Sequence, residues 1–584
     1  MGLQWEVVLS EQEFLEALES TAKQSLVVVD TETYKTDRYG ENTIIGVSWG
    51  YPVGGNFRAY YAPFRHKDFP GTVNLPVELL TRFNILKDLD HVYHNAIFDL
   101  TTLLRDNIDF TDSFVWDTMV MSHLVNENEM SFSLDELSRK YFKERKKSLA
   151  KLEKEIGWES IPPYLMGEYA CTDVALTFKH YLRCRGELQV QELESVYRDS
   201  ERYTKVLRKI IDRGLLIDGE LAIKLQSEGR DRLRALETEL GFFPAKTSQV
   251  VEALHTTHGL PVLYRTSKGA PATDSTSLRR YQSQYDSVKP LVEKILEYRT
   301  TSKAVSTWYQ GFLDKRDSEG KLHPGLNQIG TETGRLSCRN PNLQQIPRKG
   351  AARSLFVDPP GKQLVEFDYS QVELRLGAWY LHHYGDDSAL YTAYTEGADV
   401  HQQTAARLGL ERELGASEGR QVGKTINFLL LYGGGAAVLQ STLYKQAGME
   451  VSLPQAKQWV EAYRDTYPGV MKLNREAQKQ AERLGFVRMW NGRRRHFDSK
   501  DKTHMAFNSV IQGGCGQILM NALVQLDQDL PFLEIVNTVH DSIWCYVDEK
   551  DLEPTVQAVV EIMGEVPTAY FGMPFEVDWK LWKK

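Results

Sequence analysis

A short apolar run near the start of the chain ends on two acids, and this combination restricts the possible fold more than any other segment. The run covers residues 26–31, LVVVDT, and Glu32 follows it. A short run of β-branched residues predicts a buried strand. Asp30 and Glu32 are two positions apart, so their side chains leave the same face of that strand. Carboxylates in this position are costly to bury unless they bind a cation, although a lone Asp-Thr-Glu is more often an ordinary strand end.

Further patterns predict a sheet followed by long helices. Residues 44–49 and 57–62 resemble the first strand and are expected beside it. Residues 133–140 open with Ser and acids and then turn basic, which predicts a capped helix. Residues 191–240 are charged and amphipathic, which indicates extended helices broken at Arg213 and Gly214. More helices are predicted in 291–309 and 411–485, a loop in 259–274, and strands in 363–368 and 535–544.

Two further acids have a spacing that suits a metal site. Asp99 lies in HNAIFDL, and Asp173 lies in YACTD, four residues after Tyr169. On a helix this spacing places Tyr169 and Asp173 on one face. With Asp30 and Glu32 there are four carboxylates that could bind two Mg²⁺ or Mn²⁺ ions, because hard cations prefer oxygen ligands. Two such ions activate water and stabilise the attacking and leaving oxygens in phosphodiester hydrolysis.

A second pair of acids lies in the C-terminal half of the chain. Asp368 stands at a predicted strand end in FDYSQVELR. Asp541 stands in VHDS, between two apolar strand segments. Two acids brought together from such distant positions could hold Mg²⁺ around the phosphates of a nucleotide.

Between these acids, two cations and two aromatic residues recur at every fourth position. They are Arg420, Lys424, Phe428 and Tyr432. A helix would place them along one face. There the cations could bind a triphosphate and the rings could stack on a base. The ordinary alternatives are that the rings pack in the core and that the cations lie on a solvated surface. A single helix face that carries both rings and cations fits neither alternative.

Charge is unevenly distributed along the chain. The 584 residues carry 70 Lys and Arg against 79 Asp and Glu, a net charge of −9 that taken alone argues against a polyanion-binding protein. Residues 1–190, 351–410 and 501–584 have net charges of −9, −4 and −8, whereas 191–350 and 411–500 each have +6. The alternation is either ordinary surface variation or a set of acidic metal centres beside basic segments that bind a polyanion.

The sequence shows no sign of export or membrane insertion. Its 5 cysteines are scattered without a CxxC pair, so neither a disulfide framework nor a cysteine zinc site is indicated. The first residues lack the basic region and apolar stretch of a signal peptide. No run approaches the roughly 18 apolar residues of a membrane span. We therefore expect a cytoplasmic protein.

Taken in order, these segments resemble two known families. DTE, Asn95-x3-Asp99 and Tyr169-x3-Asp173 resemble the three motifs of DEDD-type 3′–5′ proofreading exonucleases, in the variant with Tyr in the third motif. DYSQVELR, RQVGKTINFLLLYG and VHDS resemble motifs A, B and C of family A DNA polymerases, the group of bacterial DNA polymerase I and related phage enzymes. TGRLSCRNPNLQQIP, residues 333–347, resembles the primer-template binding stretch of that family. The resemblance covers nearly the whole chain.

The resemblance implies a fold and a division into domains. Residues 1–190 would form an α/β, RNase H-like 3′–5′ exonuclease domain, and residues 191–584 an α+β right-hand polymerase domain. The thumb would span 191–310, the palm 311–410 and 500–584, and the fingers 411–499. The protein would extend a DNA primer with dNTPs and proofread its product, using two Mg²⁺ or Mn²⁺ ions at each active site.

In the exonuclease domain, the resemblance implies four metal-binding carboxylates and one tyrosine that orients the attacking water. They are Asp30, Glu32, Asp99 and Asp173 for the metal and Tyr169 for the water. Two neighbours have alternative readings. Asn95 contacts DNA or caps a helix, and Asp117 has an outer role or, as the favoured interpretation, is a surface acid.

In the polymerase domain, the resemblance implies one set of groups for the catalytic metals and another for the incoming nucleotide. The metals would be held by Asp368, Asp541 and the backbone carbonyl of Tyr369. The nucleotide would be held by His401, Arg420, Lys424, Phe428, Tyr432 and Glu373. The first three of these would bind phosphates, and Phe428 would stack near the sugar. Tyr432 would close on the new base pair, and Glu373 would exclude a ribose 2′-hydroxyl.

The resemblance also implies contacts with primer and template. They are Arg335, Gln512 and His540 at the primer terminus and minor groove, Gln344 and Asn508 on the template side, and Arg299 and Lys303 on DNA phosphates. Minor-groove contacts suit an enzyme that checks pair geometry without reading sequence. For Arg299 and Lys303 a plain helix-surface role is an equal alternative. The arginines within 492–495 either contact a phosphate or form a solvated turn.

Some departures from bacterial relatives favour a phage replicative polymerase. Ser542 follows the motif C acid, 511–517 lacks an acid after its Gln-Gly, and His504 replaces a frequent Arg. The expected partners are primer-template DNA, dNTPs and replisome proteins such as a helicase, a primase and a single-strand binding protein. We expect a monomer in the host-cell cytoplasm, without a membrane anchor and without the 5′-nuclease domain of bacterial polymerase I.

Two rival functions are compatible with part of this pattern. A single-subunit RNA polymerase shares the palm and the Arg-Lys-Tyr helix, but Glu373 and the nuclease segment oppose it. A degenerate DNA-binding accessory subunit would have lost metal carboxylates, whereas all six are present.

Overall fold

The computed structural model describes residues 2–34, 43–67, 73–347 and 350–582. The N-terminal part alternates strands and helices. In chain order these are β1 (Leu3–Val7), α1 (Glu11–Ala22), β2 (Leu26–Tyr34), β3 (Thr43–Val53), β4 (Asn56–Pro63), β5 (Asp90–Tyr93), α2 (Ala96–Arg105), β6 (Val115–Asp117), α3 (Thr118–Val125), α4 (Leu134–Phe142), α5 (Ala150–Ile156) and α6 (Pro163–Val190).

The N-terminal strands form one mixed sheet in the order β1-β4-β3-β2-β5-β6. β2 lies near its centre, antiparallel to β3 and parallel to β5. Val27 and Val29 pack on one face with residues of α1 and α2, and Val28 packs on the other face with residues of α3 and α6. Because helices cover both faces, β2 carries apolar residues at successive positions instead of alternating with polar ones.

The predicted strands at 26–31, 44–49 and 57–62 are confirmed as β2, β3 and β4. β2 continues to Tyr34, because its pairing with β3 resumes after a register shift between Glu32 and Thr33. The acid pair therefore lies inside the strand and not at its last residue. The predicted capped helix is α4, where the Ser133 hydroxyl accepts a hydrogen bond from the amide of Glu136.

Long helices dominate the next part of the chain. Its elements are α7 (Glu194–Arg213), β7 (Leu215–Leu216), α8 (Gly219–Leu240), α9 (Thr247–Val251), α10 (Ser275–Gln284), α11 (Lys289–Lys303), α12 (Gly311–Lys315), β8 (Lys321–Leu322), β9 (Gly325–Asn327) and β10 (Ser337–Arg339). The predicted break after Arg213 is confirmed, since Gly214 ends α7 with a positive φ of 66°, a conformation that glycine adopts at little cost.

The C-terminal part combines a second sheet with a group of helices. Its elements are β11 (Lys362–Tyr369), α13 (Val372–Tyr384), α14 (Ala389–Thr395), α15 (Val400–Arg407), α16 (Leu410–Leu414), α17 (Ala416–Leu431), α18 (Ala436–Ala447), α19 (Leu453–Thr466), α20 (Pro468–Leu484), β12 (Phe486–Arg488), β13 (Arg494–His496), α21 (Ala506–Asp529), β14 (Glu534–Val539), β15 (Ser542–Asp548), α22 (Leu552–Phe571) and β16 (Val577–Leu581).

The second sheet is antiparallel, in the order β14-β15-β11-β16. Its register brings two distant acids together. Asp368 of β11 lies opposite Ser542 of β15, so Asp541, one residue earlier, lies beside the end of β11. The amide of Tyr369 donates to the carbonyl of Asp541 across 3.4 Å. Among the described residues, no helix is long and apolar enough to cross a membrane.

Candidate active sites

The first site is a compact carboxylate cluster in the N-terminal sheet. Asp30 and Glu32 project from β2, and Asp173 projects from α6, which packs on that sheet. Each of the three offers one ligand oxygen, and these atoms lie within 4.8 Å of one another. Glu32 and Asp173 are buried, and Asp30 is half-buried. The cluster therefore combines acids from two elements that are far apart in the chain.

Asp99, the fourth predicted acid, lies in the first turn of α2 and is also buried. Its Oδ1 accepts hydrogen bonds from the amide of Thr31 at 3.0 Å and from the Thr31 hydroxyl at 2.7 Å. Thr31 lies between the two strand acids, so these bonds hold Asp99 against the cluster. Its neighbour Asp30 raises the pKa of Asp99 further, in addition to the effect of burial.

Burial raises the pKa of every acid in this cluster, and repulsion between the acids adds to the effect for Glu32, Asp99 and Asp173. Burial raises the pKa of Asp30 to about 6 and that of Asp173 to about 7. The pKa values of Glu32 and Asp99 are raised well above their usual range for the same reason, with additional repulsion from the neighbouring acids. A group of carboxylates in this state needs a cation to ionise together.

A divalent metal ion fits these residues. The Oδ1 atom of Asp173 is buried and has no hydrogen-bond partner in the part of the chain that the structure describes. A buried, unpartnered acceptor requires a ligand, and the donor set consists of carboxylate oxygens, which suit Mg²⁺ or Mn²⁺.

Tyr169 lies one turn before Asp173 on α6, as its spacing predicts. Its half-buried ring makes an edge contact with Trp158, with ring centroids 5.6 Å apart. Lys146 lies over the same ring, with Nζ 4.5 Å from the centroid, and forms an ion pair with Asp173 Oδ2. The sequence alone does not identify Lys146, because it lies in the basic stretch KERKK, where no local pattern distinguishes it from the neighbouring lysines.

The structure corrects the favoured interpretation of Asp117 and excludes a side-chain cap by Asn95, whose contact with DNA stays a prediction. Asp117 is buried, which corrects its interpretation as a surface acid. Its carboxylate accepts from the amides of Asn95 and Ala96 at 3.1 and 2.9 Å and also caps α3. The side chain of Asn95 makes no capping hydrogen bond, although Asn95 precedes α2 with a φ of 81°. The carboxylate of Asp117, and not the side chain of Asn95, therefore accepts hydrogen bonds from the backbone amides at the start of α2.

The second site lies at the end of the antiparallel sheet, around Asp368 and Asp541. Both acids are half-buried. The pKa of Asp541 is raised, first by burial and then by repulsion from Glu373, while Arg335 lowers it. The hydroxyl of Tyr369 is turned into the core and donates to the carbonyl of Met563 at 2.7 Å. The site therefore brings together three segments that the sequence identified separately.

A hydrogen-bonded triad connects these segments. Arg335 donates to Oε1 of Glu373, and the hydroxyl of Tyr432 donates to Oε2 of the same carboxylate. Arg335 also donates from Nε to the carbonyl of Gln512 at 3.0 Å. Glu373 lies in the first turn of α13, and Tyr432 directly follows α17. Both carboxylate oxygens of Glu373 are thus fixed by side chains from two other segments.

The cationic and aromatic ladder lies on α17. Arg420, Lys424 and Phe428 occupy successive turns of this helix, with Lys424 exposed and Phe428 half-buried. Arg420 pairs through Nε with Asp399 at 2.7 Å. Asp399 also caps α15, so one acid connects the two helices.

His401 is buried beside this ladder. Its Nδ1 accepts from the amide nitrogen of Asn427 at 3.2 Å, and its ring centroid lies 6.0 Å from that of Phe428. Burial lowers the pKa of His401 to about 4. The imidazole is therefore neutral at pH 7, and any phosphate contact would be a hydrogen bond from Nε2 and not an ion pair.

The predicted DNA contacts lie in several places. Asn508 and Gln512 are one turn apart on α21. His540 is exposed at the turn between β14 and β15, with a φ of 58°. The side-chain Nε2 of Gln344 donates a hydrogen bond to the backbone carbonyl of Thr538 at 3.5 Å.

Arg299 and Lys303 lie one turn apart on α11 and line a cleft of about 670 Å³. Arg299 donates to the carbonyl of Thr273. Lys303 is exposed, with Nζ 5.9 Å from the ring centroid of Trp308. The structure leaves the phosphate-contact prediction for this pair open.

The arginines of 492–495 require a correction. Arg493 and Arg495 are buried, so neither a phosphate contact nor a solvated turn describes them. Arg495 pairs with Glu127 at 2.8 Å, and Arg493 donates to His123 Nδ1 at 3.0 Å. Both partners belong to the N-terminal part of the chain. A local run of arginines cannot reveal such partners, because they lie far away in the sequence.

The comparisons with known proteins agree with this arrangement of two sites. The family model described as DNA polymerase family A matches residues 222–584, and the model described as 3'-5' exonuclease matches residues 5–189. The fold therefore joins an exonuclease domain to a polymerase domain. The chain belongs to DNA polymerase family A.

Its relatives include bacterial DNA polymerases I. The chain is 29% identical to DNA polymerase I of Pseudomonas aeruginosa over 97% of its own length and 64% of the relative. It is 31% identical to the thermostable DNA polymerase I of Thermus aquaticus over 70% of its length and 51% of the relative. The chain thus spans about half to two thirds of the curated relatives' length.

One solved structure has the same fold over nearly all of both chains. It is described as "POL domain of Pol1 from M. smegmatis complex with DNA primer-template and dNTP". The TM-score is 0.80 at 23% sequence identity, and the match covers 99% of this chain and 98% of the other.

Proposed function

We propose that this protein is a DNA-directed DNA polymerase that extends a primer 3′ end with dNTPs and removes nucleotides from the same end by 3′–5′ hydrolysis. The observation that carries the proposal is the presence of two separate acidic centres, each on its own sheet, in a chain of family A. One centre is a buried carboxylate cluster. The other combines two acids with a helix face of cations and rings.

In the polymerase centre, Asp368, Asp541 and the carbonyl of Tyr369 would hold two Mg²⁺ or Mn²⁺ ions. When bound there, such ions would lower the pKa of the primer 3′-hydroxyl. They would also neutralise charge on the transferred phosphoryl group and the departing pyrophosphate. Arg420 and Lys424 bind the triphosphate oxygens through charge-assisted hydrogen bonds. To do so, Arg420 exchanges the carboxylate of Asp399 for phosphate.

Neighbouring residues select the nucleotide. Phe428 packs near the sugar, and Tyr432 closes on the new base pair. Glu373 excludes a ribose 2′-hydroxyl, and its fixed geometry supports this role. Because Arg335 and Tyr432 hold both of its oxygens, the carboxylate cannot easily move away from a larger sugar. His401 adds a neutral hydrogen-bond donor on the phosphate side.

The proposed DNA contacts surround this centre. Arg335, Gln512 and His540 contact the primer terminus and minor groove, and Gln344 and Asn508 contact the template. Arg299 and Lys303 contact phosphates further along the duplex. Position supports the first five of these residues, since hydrogen bonds link Arg335 to Gln512 on α21 and Gln344 to Thr538, just before the turn that carries His540 and Asp541.

In the exonuclease centre, Asp30, Glu32, Asp99 and Asp173 would hold the hydrolytic ions. Tyr169 orients the attacking water beside them through its hydroxyl. Because these acids are largely buried and Asp99 is fixed by Thr31, their positions are set before substrate arrives.

The test is an assay of the purified chain on a labelled primer-template. With Mg²⁺ and dNTPs the primer lengthens, and without dNTPs it shortens from the 3′ end. Replacing dNTPs by rNTPs abolishes most of the extension. Efficient use of rNTPs would instead support an RNA polymerase, and failure of both reactions would support a DNA-binding accessory subunit.

A replicative role in a phage is the finer form of this proposal. Its support is Ser542 after the motif C acid, His504 and the missing acid in 511–517, whereas the relatives reported above are bacterial. We further propose a monomer that acts in the cytoplasm of the host cell with a helicase, a primase and a single-strand binding protein. The five free, buried cysteines fit such a reducing compartment.

A further inference from the structure

Lys146 is the basic residue that enters the exonuclease cluster, and it lies in the loop between α4 and α5. Its Nζ forms an ion pair with Asp173 Oδ2 and lies over the ring of Tyr169. The side chain of Asp173 is 4% exposed and that of Lys146 is 27% exposed. An ammonium group is thus inserted beside both α6 residues that the sequence assigns to hydrolysis.

The two oxygens of Asp173 have different environments. Oδ2 binds Lys146, whereas Oδ1 is buried and has no hydrogen-bond partner among the described residues. Because Lys146 occupies one oxygen only, it fixes the rotation of the carboxylate and leaves the other oxygen free for a metal ion. A ligating carboxylate commonly needs such an outer partner to hold its orientation.

The loop that carries Lys146 is itself anchored. The amide of Lys146 donates to Asp135 Oδ1 at 2.9 Å, which ties the loop to α4. Two residues earlier, Glu144 pairs with Lys179 of α6 at 2.6 Å. These contacts, at Lys146 itself and two residues before it, limit how far the ammonium group can move from Asp173.

The next residue provides a natural contrast. Lys147 pairs with Glu168, and its side chain is 53% exposed. Lys147 has the same charge and a neighbouring position, but it contacts neither Asp173 nor Tyr169 among the described contacts. It therefore controls for the loss of one positive charge from this loop.

We propose that Lys146 is a positioning residue of the exonuclease site, which orients Asp173 through Oδ2 for metal binding and holds the Tyr169 ring in place. This inference rests on the proposed exonuclease activity. A positioning role and a pure charge effect predict opposite changes in metal affinity. Loss of orientation weakens metal binding, whereas loss of a nearby positive charge alone strengthens it.

The test compares Lys146→Met, Lys146→Arg and Lys147→Met in the full chain. The substrate is single-stranded DNA with a labelled 3′ nucleotide. We expect Lys146→Met to lower kcat about 10–100-fold, with KM changed less than about threefold, because the residue acts through Asp173 and Tyr169. Lys146→Arg should recover most of the loss, and Lys147→Met should resemble the parent.

Metal binding gives a readout that does not depend on turnover. Mn²⁺ is titrated into protein that also carries Asp368→Asn, which weakens the metal site of the polymerase centre. The electron paramagnetic resonance signal of free Mn²⁺ then reports how much of the ion is bound. We expect Lys146→Met to weaken Mn²⁺ binding about 10-fold. Unchanged or tighter Mn²⁺ binding, or an unchanged kcat, would overturn the proposal. Primer extension by the Lys146 variants that retain Asp368 checks that the chain is folded.

Failure of the proposed function itself would look different. If the parent did not hydrolyse the 3′ end, or if Asp30→Ala did not abolish hydrolysis, the exonuclease assignment would be wrong. If the parent is active and Asp30→Ala is inactive, the Lys146 variants test the positioning role alone.

Discussion

The two acidic centres differ in how much of the metal environment the chain itself supplies. In the N-terminal sheet, Asp30, Glu32 and Asp173 already place ligand atoms within 4.8 Å of one another, and Asp99 is held beside them. At the C-terminal sheet, Asp368 and Asp541 are half-buried, and no third acid among the described residues completes a cluster with them.

The difference follows from the two proposed reactions. Hydrolysis brings water and one phosphodiester to the metals, so the protein supplies most of the ligands. Nucleotide addition brings a triphosphate, whose oxygens complete the coordination of Mg²⁺ held by one or two carboxylates. A preassembled cluster and an incomplete one thus suit two metal sites with different substrates.

The largest expected effect separates the two centres. Asp368→Ala should reduce primer extension at least about 10³-fold and leave 3′ hydrolysis intact, because each metal ligand supports several kcal/mol of transition-state stabilisation. Asp30→Ala should do the reverse. Both rates are measured on one labelled primer-template. If either variant lost both activities while keeping its unfolding transition, the centres would not be independent.

A second prediction concerns the contact between the two regions. Arg495→Met removes the buried guanidinium that pairs with Glu127 and Glu332, so that the Glu127 carboxylate, 2% exposed, keeps its ion pair with His496 Nδ1 at 2.8 Å but loses its arginine partner. We expect a loss of about 3–5 kcal/mol from the free energy of unfolding of that part of the chain, measured by urea denaturation.

The control is Arg494→Met, which removes a half-buried arginine that lies over the ring of Phe486. It should cost less than Arg495→Met. Combining Arg495→Met with Glu127→Gln should recover part of the loss, because the buried carboxylate charge of Glu127 is then removed as well. An Arg495→Met variant as stable as the parent would argue against a buried interdomain ion pair.

The third prediction is a pH dependence of stability that originates in the compact cluster. The pKa values of Asp30 and Asp173 are about 6 and 7 in the folded chain, whereas the unfolded values are near 4. The metal-free folded state therefore holds extra protons between about pH 4 and pH 7, and the free energy of unfolding falls as pH rises through this window.

We expect a decrease of the order of 2–4 kcal/mol, measured by urea denaturation in the presence of a chelator at pH 5 and pH 8. Asp173→Asn should flatten the dependence, and saturating Mg²⁺ should oppose it by binding the ionised form. A pH dependence that is the same in Asp173→Asn and the parent would assign it to other groups.

The smallest expected effect concerns the support of Asp99. Thr31→Val keeps the shape of the side chain and the backbone hydrogen bond at 3.0 Å, but removes the hydroxyl bond at 2.7 Å. Losing one such bond costs about 1–2 kcal/mol. We expect about a 5–30-fold lower rate of 3′ hydrolysis with unchanged primer extension. Thr33→Val, two residues further along β2, is the matched control.

Much of the fold could be predicted from local pattern. The strands β2, β3 and β4 follow from β-branched runs, and α4 follows from a capping serine before acids. The four carboxylates that we propose for 3′–5′ hydrolysis were also identifiable, because their motifs occur in a fixed order along the chain. Periodicity predicted these elements because it depends only on neighbouring residues.

Residues whose role depends on a distant partner were missed or misassigned. Asp117 was interpreted as a surface acid, although it is buried and binds the amides before α2. Arg493 and Arg495 were assigned to a phosphate or a solvated turn, although they bind the N-terminal part of the chain. Lys146 had no local signal that separated it from Lys147. In each case the deciding contact crosses a long stretch of sequence.

The sequence alone determined which acids can bind metal and which helix face can bind a nucleotide, because side-chain chemistry and helical or strand spacing are local properties. The tertiary structure decided which charges are paired, which are buried and which stay free for a substrate. Those outcomes depend on desolvation and on partners from other elements, and Asp173 shows both effects. Its carboxylate is visible in the sequence, but the fold alone assigns one oxygen to Lys146 and leaves the other unpartnered.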